Sequence, residues 1–208
     1  MKPHPKKRHS RPNPPKPAHV APRQEPVAEA VKAAIAPPVL LSYQQAWVGC
    51  PADVAVWKKS RRVGASWTSA SDAVLTAAPA EGGMDVLYIG YSEDMTREFI
   101  DDCAMWSRVF NRAASAMQEI MFDDTGEDGE IRQIKAFRID FASGLKILAL
   151  SSRPRSIRGK QGLVIIDEAA FHDDLPGLIK AAMAMLIWGG RVRILSSHNG
   201  EDNPFNVL

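Results

Sequence analysis

Residues 58–67 read KKSRRVGASW. They follow an apolar run, DVAVW at 53–57, and lead into a helix-patterned run, SWTSASDAVLTAA at 66–78. A strand, a glycine-bearing turn and a helix in that order make the frame of a phosphate-binding loop, whose usual form is Gly-x-x-x-x-Gly-Lys-Ser/Thr. Gly64 and Ser66 stand where the second glycine and the hydroxyl belong, but Ala65 occupies the lysine position. A phosphate site needs backbone N–H groups at a helix start, a glycine for close approach, a hydroxyl for magnesium and a cation. Gly64, Ala65 and Ser66 can supply the first three. Lys59 can supply the cation if the loop folds back on itself, with Arg62 assisting, because lysine is a point charge on a flexible stem. The same residues also suit an ordinary basic turn between a strand and a helix.

Working outward, LLSYQQAWV at 40–48 reads as a short helix or turn. MDVLYIGYS at 84–92 is a second strand, and Ser92 is a good N-cap for a helix running from Glu93 to about Met117. DDTGEDGE at 123–130 is an acidic turn. IKAFRIDF at 134–141 and GLKILALSS at 144–152 form a hairpin. GLVIIDEA at 162–169 is a buried strand, LPGLIKAAMAMLIW at 175–188 a helix, and RVRILSS at 191–197 a last strand. Strands alternating with helices give an α/β fold, a mainly parallel sheet with one antiparallel excursion. In such sheets ligands bind beyond the carboxyl ends of the strands, and that is where the notable motifs fall.

Two further motifs carry chemistry. LVIIDEAAFHDD at 163–174 buries four apolar residues and leaves Asp167 and Glu168 at the strand's end. An acidic residue there can hold magnesium, and an adjacent glutamate can orient or deprotonate an attacking water. ILSSHNG at 194–200 places small hydroxyls and an amide after a strand, where they could sense a γ-phosphate. His172, beside Asp173 and Asp174, has no further metal ligand at suitable spacing and reads as part of a polar loop. Trp47, Trp57, Trp67, Trp106 and Trp188 read as packing residues.

The net charge of +2 hides an asymmetry. Residues 1–38 balance at +6 and the remainder at −4, so the basic character belongs to the tail. The tail also holds ten of the fifteen prolines, which leaves nothing to build a core and marks 1–38 as disordered. It reads equally as a phosphate-contacting arm or a solvated leader. Cys50 and Cys103 form no framework, no apolar run is long enough to span a bilayer, and a cytoplasmic protein is expected.

With these motifs together, residues 40–208 resemble the ATPase part of tailed-phage terminase large subunits, Mu-like prophage versions in particular. The resemblance implies a P-loop NTPase of the ASCE type, binding ATP and Mg²⁺. Some terminases place the phosphate-binding lysine at the start of the loop, and Lys59 matches that position. VIIDEA matches the family's magnesium aspartate and catalytic glutamate at Asp167 and Glu168, with Ser66 sharing the metal. SSHNG resembles the coupling motif at Ser196, Ser197 and Asn199, although many relatives carry proline where His198 stands. The resemblance further implies an adenine-reading glutamine, Gln44 or alternatively Gln45. Arg158, in RPRSIRGKQG, would be an arginine finger acting on a neighbouring subunit's ATP, unless its loop is simply solvated or touches DNA. The implied partners are double-stranded DNA, a small terminase subunit, a portal protein and further copies in a ring, in the cytoplasm of a bacterial host. No acidic cluster of a nuclease follows Asn199, so 39–208 is expected to be an ATPase domain lacking the family's nuclease. The rivals are a helicase-like translocase, against which Ala65 argues, and a decayed prophage remnant that binds nucleotide or DNA without turnover.

Overall fold

The computed structural model describes residues 39–110, 118–125, 131–151 and 161–208; the tail at 1–38 and Arg158 lie outside the described residues. The plan of the fold is clearest at β6 (Leu163–Asp167), whose LVIID run is buried throughout. A strand with four consecutive apolar residues must be covered on both faces. Leu163 and Ile165 enter one apolar cluster, and Val164 and Ile166 enter another. β2 (Val86–Gly90) repeats the alternation, with Val86 and Tyr88 on the first face and Leu87 and Ile89 on the second.

The first face is covered by α1 (Ser42–Val48), α2 (Ala65–Ala77) and α3 (Glu93–Val109). In α3, Thr96, Phe99, Ile100, Cys103, Trp106 and Ser107 are buried, a stripe at helical spacing. Ser92 caps α3 by accepting from the Met95 amide at 3.3 Å, and Glu93 and Asp94 complement the helix dipole. The second face is covered by α4 (Leu175–Met183), through Leu175, Leu178 and Ala182, and by Phe205 of a short 3₁₀ turn.

The seven strands run in the order β1-β7-β6-β2-β5-β4-β3. β1 (Val54–Lys58), β7 (Arg191–Ser196), β6, β2 and β5 (Lys146–Ser151) pair in parallel. β4 (Ile131–Asp140) returns antiparallel to β5, and β3 (Gln118–Thr125) antiparallel to β4. The expected mixed sheet and hairpin are both present. Two expectations change: α3 ends at Val109 rather than near Met117, and Asp123–Thr125 belong to β3 instead of a turn. β3 pairs with β4 alone, so its place is set by a partner distant in sequence, which local pattern does not reveal.

Arg193 of β7 ties three segments together. Its guanidinium donates to the Ala52 and Cys50 carbonyls, each at 2.8 Å, and Nε lies 4.0 Å from Asp72 of α2. That last distance is an ion pair without a hydrogen bond. Both side chains are buried, and burial raises the Asp72 carboxyl above its ordinary value despite Arg193. Arg193→Met would strand the carboxylate and two carbonyls, and urea denaturation should show a loss of about 3–5 kcal/mol. Adding Asp72→Leu should restore part of it, because an apolar pair avoids burying charge.

Candidate active site

Strand register brings the three motifs to one level. Lys58 pairs with Ser196, Asp167 pairs with Leu195, and the Lys59 amide donates to the Ser196 carbonyl at 3.0 Å. The loop after β1 then reverses through two left-handed residues, Arg62 (φ 61°) and Gly64 (φ 70°). Gly64 is required there twice over, since a Cβ would also sit 2.9 Å from the Gln44 amide nitrogen. Gly64 is the N-cap of α2, yet no side chain caps this helix and no acid lies in its first turn. Its free N–H groups and dipole therefore face the loop, a ready site for an anion. The contrast with the capped, acid-flanked start of α3 is direct.

Lys59 Nζ meets Glu168 Oε1 at 2.6 Å, with the lysine side chain only 6% exposed. Glu168 Oε2 accepts from the Ser197 amide and hydroxyl, each at 3.3 Å, and lies 3.5 Å from the Ser196 hydroxyl, which donates to the Ser197 carbonyl at 2.7 Å. Glu168 itself adopts a left-handed backbone (φ 47°), which turns its side chain off the end of β6. Ser66 Oγ donates to Asp167 Oδ2 at 2.5 Å, Tyr88 donates to the same oxygen at 3.1 Å, and the Glu168 amide donates to Oδ1 at 2.8 Å. Asp167 is fully buried; burial raises its carboxyl above the ordinary value, opposed by the Ser66 hydrogen bond and the Lys59 charge. Burial and Asp167 push the Tyr88 hydroxyl well above its usual range, so it remains a donor.

Lys59, Ser66, Tyr88, Glu168 and Ser197 line a cavity of about 480 Å³ between the loop and α3, and Asp167 is not part of its lining. Arg62, Gly64 and Ala65 line it with them. Its other wall includes Tyr91, Met95, Glu98, Asp102 and Phe171, none of which sequence reading singled out. Glu98 and Asp102 sit one turn apart on α3, a spacing that marks one helix face but no function. Asp102 is pushed up to about 6, first by burial and then by Glu98 and Asp101. A carboxyl raised on folding binds its proton more tightly in the folded state, so stability falls as pH rises from about 4 to 6. Asp102→Asn should flatten this dependence and raise the melting temperature at pH 8 relative to the parent, while changing little at pH 4. Thermal melts of both proteins at pH 4, 6 and 8 check it.

Other expected residues lie elsewhere. Gln44 is buried against the loop, donating to the Val63 carbonyl at 3.2 Å and accepting from the Leu41 amide at 2.9 Å, and it does not line the cavity. Gln45 is exposed and donates to the Leu40 carbonyl at 2.8 Å. Asn199 donates to the Ala170 carbonyl at 3.2 Å, joining the segment after β7 to the turn after β6. His172 is buried instead of lying in a polar loop: the 3₁₀ turn Ala169–Phe171 folds its Nε2 to 2.8 Å from the Asp167 carbonyl. Among the described residues no group of three or more His, Cys, Asp or Glu could hold a metal. Trp188 is 72% exposed, unlike the buried Trp47 and Trp106, because it ends a 3₁₀ turn where Gly189 redirects the chain. Among the described residues no helix is long and apolar enough to cross a membrane.

Residues 57–204 match the family model "Terminase large subunit, T4likevirus-type, N-terminal". The chain is 51% identical over 172 residues to Mu-like prophage FluMu protein gp28 of Haemophilus influenzae, covering 82% of this chain and 33% of that protein. It is 46% identical over 173 residues to the probable terminase large subunit gp28 of Escherichia phage Mu, covering 81% and 31%. It thus spans about a third of the length of these curated relatives. Two solved structures share the fold. A mutant Thermus phage P74-26 large terminase ATPase domain aligns with TM-score 0.50 at 18% identity, over 80% of this chain and 68% of that one. The large terminase of another thermophilic bacteriophage, in complex with ADP, aligns with TM-score 0.52 at 15% identity, over 74% and 38%.

Proposed function

The chain belongs to the terminase large-subunit family, and from that premise we propose that it is an ATP-hydrolysing domain of a motor that moves double-stranded DNA. The observation that carries this reading is the meeting of Lys59, Ser66, Asp167, Glu168 and Ser197 beside an uncapped helix start.

The donor set fits Mg²⁺. Asp167 is a buried, acceptor-only carboxylate beside a hydroxyl, and hard cations take oxygen ligands. With no carboxylate cage among the described residues, the remaining ligands would be phosphate oxygens and water, the usual pattern for magnesium. Ser66 and Asp167 would hold the ion, which when bound neutralises charge on the β- and γ-phosphates. The free N–H groups of α2 and the backbone of Gly64 and Ala65 receive phosphate oxygens. Lys59 turns from Glu168 toward the β/γ-phosphates, whose larger negative charge competes for the ammonium. Arg62, on the cavity wall, assists. That exchange frees Glu168 Oε1 to take a proton from water as the water oxygen bonds to γ-phosphorus and the bond to the β–γ bridging oxygen breaks. Ser197 keeps Oε2 fixed, so the base stays oriented.

Ser196, Ser197 and Asn199 couple this chemistry to movement, because they join Glu168 and the turn after it to the segment following β7. Removing one hydrogen bond to a charged base, as in Ser197→Ala, should lower kcat about tenfold with little change in KM; steady-state kinetics on both proteins check it. Arg158 acting on a neighbouring subunit, a small subunit and portal as partners, a nuclease elsewhere in the motor, and work in the host cytoplasm complete the proposal; for Gln44 to read adenine, its amide would have to leave the Val63 carbonyl and the Leu41 amide. Phosphate release measured against rising double-stranded DNA tests the DNA-coupled part: stimulation supports it, and a rate indifferent to DNA sinks it.

A further inference from the structure

We infer that Tyr88 is a positioning residue for the metal-binding carboxylate, holding Asp167 Oδ2 in the orientation that admits a divalent cation. The inference rests on the reading of Asp167 as the metal residue. Tyr88 lies on β2, the neighbour of β6, and pairs in register with Ile165, two residues before Asp167. Residues two apart on a strand share a face, so Tyr88 and Asp167 both point toward α2 and α3. The tyrosine is fully buried and stacks on Phe99, with ring centroids 3.7 Å apart and planes 10° from parallel. A phenylalanine would fill that slot without burying a hydroxyl, and a buried hydroxyl costs free energy unless it finds a partner. The partner here is the same carboxylate oxygen that accepts from Ser66.

The consequence follows from the donors around the carboxylate. The Glu168 amide fixes Oδ1, while Ser66 and Tyr88 share Oδ2. If the Ser66 oxygen turns to a cation, its proton can no longer be counted on to hold Oδ2. Tyr88 then remains as the side-chain donor on that oxygen. Its ring is clamped by Phe99, so the donor is fixed in place. Partners of metal-ligating carboxylates commonly affect metal affinity by about 10–100-fold.

The test uses Mn²⁺ as the probe, followed by its paramagnetic resonance signal, in the full chain with a non-hydrolysable ATP analogue. Nucleotide binding in EDTA is measured alongside. Tyr88→Phe keeps the ring and the stack and removes only the hydroxyl. The expected result is a rise of about tenfold in the Mn²⁺ midpoint, with metal-free nucleotide binding unchanged. A Tyr88→Phe midpoint equal to the parent's overturns the inference. So does an equal weakening with and without metal, which would mean that the hydroxyl supports only the pocket's shape. Asp167→Asn separates the two levels: if it too titrates like the parent, the reading of Asp167 fails and takes Tyr88 with it. If Asp167→Asn loses Mn²⁺ while Tyr88→Phe does not, only the Tyr88 role fails.

Discussion

Lys59→Ala is expected to abolish useful ATP binding, raising Kd about a hundredfold, the size of a lost hydrogen bond between charged groups. The lysine is the cation whose side chain is buried at the foot of the loop, 6% exposed and in contact with Glu168. Ala65, at the usual lysine position, supplies none, and Arg61 and Arg62 are exposed. Truncating Lys59 also leaves Glu168 without its cation, so two carboxylates, Glu168 and Asp167, would face an incoming triphosphate. The matched control is Arg62→Ala, expected to weaken binding only severalfold because an exposed charge is screened by solvent and salt. Calorimetric titration with a non-hydrolysable analogue and Mg²⁺ checks both.

Glu168→Gln is expected to do the opposite to binding and far worse to turnover. An amide cannot take the proton from water, so kcat should fall about a thousandfold, within the range for loss of a general base. The same change dissolves the Lys59 ion pair, freeing the ammonium for phosphate. ATP should therefore bind as tightly as to the parent or tighter. A variant that binds better and turns over far less separates the base from the binding group, and single-turnover phosphate release beside equilibrium binding makes that separation visible.

Much of this was legible in the sequence, for physical reasons that particular residues make plain. LVIID at 163–167 read as a buried strand, and with the alternation of strands and helices it implied the mixed sheet. The proximity of Lys59, Ser66, Asp167, Glu168 and Ser197 followed from one rule, that parallel strands deliver their following loops to the same edge. Tyr88 stayed hidden because a tyrosine in VLYIG is indistinguishable from core until its hydroxyl has a partner across the strands. Glu98 and Asp102 look like any solvated helix face until α3 is laid against the loop. β3 was missed because QEIMFDDT is held by β4, not by its own pattern. Trp188 failed in the other direction, an aromatic residue that reads as a packing residue and that the turn at Gly189 left exposed.

The central claim is that this loop works with its lysine displaced to position 59. The most direct measurement is magnesium-dependent ATP hydrolysis by the 208-residue chain, beside Lys59→Ala and Glu168→Ala. Turnover in the parent that disappears in both variants, with nucleotide binding lost only in Lys59→Ala, is the expected result. Turnover that survives Lys59→Ala, or a parent that binds no nucleotide at all, would contradict it.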